Sequence, residues 1–145
     1  MKNLSSSMSV FLVQKPEFLE LLGFKDYWFD DPTQTYHCTF EPSVALIHSN
    51  GTIVQGGFIA GALDSVMAQY VLHAHDFTAN PLTLNLDITY LLSYRPAQVE
   101  LRAKVLINGA GVMPDIRLIG ALLIAAEATD CAAVALDTVV TTPIR

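Results

Sequence analysis

Asp64 is the only carboxylate in an otherwise apolar stretch, Gly56 to His73, that reads GGFIAGALDSVMAQYVLH. A carboxylate among Ala, Leu, Ile and Met side chains is costly to bury unless it is hydrogen-bonded or paired. Such groups are kept mainly where they do chemistry. A lone acid of this kind can take a proton from water or attack a carbonyl carbon itself. Upstream, Gly56-Gly57 opens the same segment. A glycine pair at a helix start leaves backbone N–H groups unscreened, and the helix dipole adds partial positive charge there. That end suits a carbonyl oxygen on which negative charge develops. Acid and helix start are about two turns apart, roughly 10–12 Å along the axis, so one bent acyl group could meet both. Asp64 could equally face a loop or cap a neighbouring amide, and the glycines could simply form a turn.

The elements that must position these residues are legible in outline. A helix from Gly56 to about His75 that is apolar nearly all round belongs in a core. Its weakly polar residues Ser65, Gln69 and His73 fall at i, i+4 and i+8, one stripe expected to meet solvent, with Asp64 projecting away from it. Pro16 to Leu22, stopped by Gly23, predicts a short helix. Aromatic-rich stretches at Tyr27 to Phe29 and Thr35 to Glu41 are separated by an Asp-Asp-Pro turn, and in the second Tyr36, Cys38 and Phe40 alternate with their neighbours, a strand period. Residues 42–55 carry loop signals. Leu82, Leu84, Leu86, Ile88 and Tyr90 then alternate with Thr83, Asn85, Asp87 and Thr89, a half-buried strand. Val99 to Ile107 alternates likewise. The tail, 112–142, is divided between the helix propensity of Leu118 to Ala128 and the valines and threonines that favour strand.

Composition narrows the function classes. The chain has 145 residues, 52% hydrophobic and 15% charged, with a net charge of -6. That fits one domain spanning 1–145 with a Ser-rich, frayed start over 1–9, and enough apolar residues to favour an oligomer. Lys and Arg are scattered singly, so nucleic-acid binding has no electrostatic footprint. No apolar run is long enough to span a bilayer or form a signal-peptide core, and a cytoplasmic location is expected. Cys38 and Cys131 suit reduced, buried thiols. His73 and His75, two apart on a helix, cannot easily share a metal, and no metal or cofactor is expected. No Gly-x-Ser-x-Gly elbow is present. Phe58, Met67, Tyr70 and Tyr90 are candidates for pocket lining or plain core.

The segment Gly51-Thr52-Ile53-Val54-Gln55-Gly56-Gly57, followed seven residues later by Asp64, resembles the signature of the hotdog-fold thioesterases of the phenylacetate-pathway (PaaI-like) acyl-CoA group. Thr83 to Tyr90 looks like the strand after their central helix, and Cys131 to Thr141 is similar to their closing strand. The resemblance spans about residues 35–142. It implies an α+β hotdog fold, a curved antiparallel β-sheet wrapped around one long central helix, about 56–75, with the tail as two antiparallel strands. It implies an acyl-CoA substrate and a homodimer with shared active sites, with homotetramers frequent. Carried over by position, Asp64 is the general base or nucleophile, and Gly56 offers the N–H that polarises the thioester carbonyl. Gly57 supports the turn. Thr83, from the neighbouring subunit, helps place the attacking water. Gln55, Asn50 and Ser49 are the remaining substrate-binding positions.

Three positions depart from the family pattern. Gln55 stands where many members have His, though its amide can still donate to a carbonyl. Ser49 occupies the position often held by Asn or Gln, with Asn50 one place off, and Ala68 stands where a related branch has a catalytic Thr. Two rival functions remain: a non-catalytic acyl-CoA-binding hotdog protein, and a hotdog hydratase or dehydratase, whose usual His-containing signatures are missing.

Overall fold

The structure, a computed structural model, describes residues 15–48, 53–92, 99–108, 116–125 and 131–143. The frayed start expected over 1–9, and Ser49 and Asn50, lie outside these residues. The chain opens with helix α1 (Glu17–Leu21), then strands β1 (Phe24–Asp30) and β2 (Thr35–Phe40), and a 3₁₀ turn at Val44–Leu46. The long helix α2 (Gly56–Ala74) follows, then β3 (Ala79–Tyr90), β4 (Val99–Asn108), β5 (Ile116–Ala125) and β6 (Cys131–Pro143). All described pairings are antiparallel, in the order β1-β2-β4-β5-β6-β3.

The short first helix stops where expected. Gly23 adopts φ +85°, and a Cβ there would lie 2.1 Å from the Glu41 carbonyl oxygen, so only glycine fits between α1 and β1. The Glu41 N–H in turn donates to the Gly23 carbonyl at 2.7 Å. In β2 Tyr36, Cys38 and Phe40 are all buried as expected, but Thr39 of the opposite set is buried too, so the alternation fails at the end of the strand.

The tail is two strands, as the family resemblance implies and against its alanine content. The reason lies in packing. Ala103, Ala121 and Ala135 are ladder neighbours across β4, β5 and β6, and all three are buried. A row of small side chains on the concave face lets α2 lie close to the sheet. Leu63, Val66 and Met67 of α2 complete the core against Leu101, Ile119 and Leu123. Of the pocket candidates, Met67 and Tyr70 are core, Phe58 packs against it, and Tyr90 is exposed.

Two further expectations need correcting. The Ser65, Gln69 and His73 stripe does not meet solvent: Ser65 and Gln69 are buried and His73 is half-buried. Partners reach both buried residues, although the Gln69 Nε2 is buried with no hydrogen-bond partner among the described residues. The Ser65 hydroxyl donates to the Ala62 carbonyl at 2.9 Å, and Gln69 Oε1 accepts from the Tyr36 hydroxyl at 2.9 Å. Buried polar groups are tolerable once hydrogen-bonded. The second correction concerns β3. Its ladder with β6 pairs Thr83 with Val139 and Asn85 with Thr138, leaving Leu84 as a bulge residue. Strict alternation therefore fails at Leu84, and Leu82 and Leu84 are exposed while Leu86 and Ile88 are half-buried.

Candidate active site

The bulge decides where Thr83 points. Thr83 pairs with the buried Val139, Ile88 with the buried Ala135 and Tyr90 with the buried Ala133. All three therefore face α2. Without the extra residue, Thr83 and Tyr90, seven apart, would project from opposite faces. A β-bulge re-aims a side chain in this way.

Thr83 reaches Asp64. Its hydroxyl donates to Asp64 Oδ1 at 2.9 Å, within the same chain. The hydroxyl expected from a neighbouring subunit is thus already supplied beside the acid by β3 itself. Asp64 is half-buried, on an outer stripe of α2 with the half-buried Ala60 and Ala68.

The helix start is held from two sides. Gln55 is the N-cap, and its side-chain Oε1 accepts from the Gly57 N–H at 2.7 Å. With the oxygen committed to the cap, the Gln55 Nε2 is the end of the amide left to donate outward. Gly56 is the first helical residue, and its N–H has no acceptor among the described residues. The Tyr90 hydroxyl donates to the Gly56 carbonyl at 2.8 Å, and a Cβ at Gly56 would sit 3.4 Å from the Tyr90 ring. That contact is hidden in the sequence, where Tyr90 falls on the face opposite Thr83 under strict alternation.

Asp64, Thr83, Gly56, Gly57 and Gln55 thus lie along one helix and the strand returning beside it. Ser49 and Asn50 fall in the undescribed loop before them. Other titratable groups lie elsewhere. Burial pushes the Cys38 thiol well up, so it is a protonated core side chain, not a nucleophile. Burial also lowers His73, with Asp76 and Asp31 opposing. Glu100 on β4 is raised by burial, but hydrogen bonds from Arg102 and His37 outweigh that and hold it below the ordinary carboxylate value. Among the described residues, no group of three or more His, Cys, Asp or Glu side chains could hold a metal ion. A groove of about 490 Å³ lies away from the Asp64 site, lined by Thr35, Arg102, Lys104, Gly120, Val134 and Leu136, and contains none of Asp64, Thr83, Gly56, Gly57 and Gln55.

No protein-family model and no curated protein sequence matches the chain. Solved structures do. A thioesterase from Haemophilus influenzae superposes with a TM-score of 0.81 at 13% identity, covering 98% of this chain and 94% of that one. A phenylacetic acid degradation-related protein from Ralstonia eutropha gives 0.76 at 20% identity, covering 90% of this chain and 97% of its own. The fold is the hotdog fold. A mutant thioesterase from Pseudomonas aeruginosa gives 0.79 at 15% identity over 98% of this chain and 97% of that chain. Identities this low establish the hotdog architecture, with α2 as its central helix, and leave the chemistry to the residues themselves.

Proposed function

We propose that this hotdog protein is an acyl-CoA thioesterase, hydrolysing a thioester to a carboxylic acid and free CoA thiol. One observation carries the proposal: a half-buried carboxylate, held by a threonine hydroxyl, stands on the same helix whose glycine start has an N–H with no acceptor among the described residues. In this scheme the thioester carbonyl oxygen takes its hydrogen bond from the Gly56 N–H, with the Gln55 Nε2 as a second donor. Both strengthen as the oxygen becomes an oxyanion. Asp64 then acts in one of two ways. As a base it takes a proton from water while the hydroxide adds to the carbonyl carbon, and collapse of the adduct breaks the C–S bond and expels CoA thiolate. As a nucleophile its own oxygen adds, CoA thiolate leaves, and water cleaves the resulting anhydride. In either case one water is consumed, and the proton balance ends with a carboxylate, a thiol and one released proton.

The hotdog neighbours described as thioesterases support the same reaction. A homodimer fits as well. At the sheet edge, β3 presents the exposed Leu82 and Leu84, and Tyr90, Leu91 and Leu92 are exposed at its end. A long apolar edge of this kind is a pairing surface for a second copy. Sites shared across that dimer, and a homotetramer built from it, follow as the proposed assembly. No described helix is long and apolar enough to cross a membrane.

The test is a thiol-release assay over aromatic, medium-chain and branched acyl-CoAs. Turnover of at least one is expected. Binding of acyl-CoAs without thiol release across the whole panel would refute hydrolysis and leave a non-catalytic acyl-CoA binder.

A further inference from the structure

We infer that Tyr90 is a positioning residue for the reaction, because it fixes the peptide unit that sets the direction of the Gly56 N–H. The inference rests on the thioesterase proposal for its kinetic meaning, though not for its geometry. The Gly56–Gly57 peptide unit is gripped at both ends. Its carbonyl accepts from the Tyr90 hydroxyl at 2.8 Å, and its N–H donates to the Gln55 Oε1 at 2.7 Å. Two consecutive glycines have more backbone freedom than any other pair, so without such restraints this end of the helix would fray. The Gly56 N–H belongs to the preceding peptide unit, which is joined to this one through only the φ and ψ of Gly56. Holding the Gly56–Gly57 plane therefore limits where that N–H, which has no acceptor among the described residues, can point.

Burial does not explain the tyrosine's bond. In the single chain Tyr90 is 51% exposed, so before a second copy covers the β3 edge its hydroxyl could be satisfied by water at no desolvation cost. It reaches back to the helix start instead, with its ring in the space that a side chain at position 56 would need. The same strand grips Asp64 through Thr83. The bulge at Leu84 is what brings Thr83 and Tyr90 to the same face. A single edge strand thereby sets the spacing between the carboxylate and the carbonyl-polarising N–H.

The experiment compares wild type with Tyr90→Phe, which keeps the ring and removes only the O–H, and with Tyr90→Ala. On an acyl-CoA that the wild type hydrolyses, Tyr90→Phe is expected to lose about three- to tenfold in kcat, the size of one ordinary hydrogen bond. KM should stay within about twofold and the thermal midpoint should be unchanged, since a purely structural role would move stability rather than kcat. Amide hydrogen exchange at Gly57 supplies a readout that needs no turnover. It should quicken in Tyr90→Phe while exchange in the core strand at Ile119 stays the same. Unchanged kcat, a change confined to KM, or unchanged Gly57 exchange would each overturn the inference. If the wild type hydrolyses no thioester, the thioesterase proposal fails separately, and Gly57 exchange alone decides the role of Tyr90. Tyr90→Ala, by removing the ring as well, should quicken Gly57 exchange further, and slower exchange than in Tyr90→Phe would also count against the inference.

Discussion

Replacing Thr83 with valine removes one hydroxyl and keeps the branched shape that β3 requires. The hydroxyl donates to Asp64 Oδ1 at 2.9 Å. A hydrogen bond to a charged group contributes about 1.5–3 kcal/mol when water is excluded. Thr83 is exposed and Asp64 only half-buried, so water can replace much of it, and about 1 kcal/mol is the appropriate figure. At 1.36 kcal/mol per decade this gives about a fivefold loss in kcat/KM. Thr83→Ser, which restores a donor on the same carbon, should recover most of the loss. The assay is steady-state thiol release on the preferred acyl-CoA, with urea unfolding to confirm that the fold is intact. Wild-type activity in Thr83→Val would show that the contact does not orient the carboxylate. A loss beyond about a hundredfold would exceed what one such bond supplies and would place the hydroxyl in direct contact with the reacting water.

Two further outcomes follow from the same geometry. In Gly57→Ala the new Cβ would lie 2.8 Å from the Gln55 Oε1, so the cap must shift; a loss of about 1 kcal/mol and a thermal midpoint lower by about 3 °C are expected by calorimetry. His73 has its folded value lowered by burial, so its unfolded form binds more protons. The stability it contributes is complete above the unfolded value of about 6.5 and is lost as pH falls from there toward the lowered folded value. Urea unfolding between pH 8 and 5 should show that decline, and His73→Phe should flatten it.

What the sequence made legible was whatever depends on local period or a single backbone requirement. Gly23 at the end of α1, the Tyr36, Cys38 and Phe40 face, and the limits of α2 are all of this kind. So is the placing of Asp64 and Gly56 on one helix. What stayed hidden depends on partners distant in the chain. Gln69 looks like a solvent residue until Tyr36, 33 positions away, is found to donate to it. Alanine content in β5 and β6 suggests helix until Ala103, Ala121 and Ala135 are found side by side beneath α2. The bulge at Leu84 is the sharpest case, because Leu82 to Tyr90 alternates without interruption in the sequence and only the ladder with β6 shows the added residue. Thr83 was singled out by its family position, but its contact within the chain comes from that bulge.

The most direct measurement is kcat for Asp64→Asn beside the wild type on the acyl-CoA it hydrolyses fastest. Asparagine keeps the size of the side chain and its hydrogen bond from Thr83 while removing the charge that takes a proton or attacks carbon. A fall of at least about a hundredfold, with acyl-CoA still bound, is the expected result. Retention of wild-type turnover would contradict the assignment of Asp64 as the reacting carboxylate.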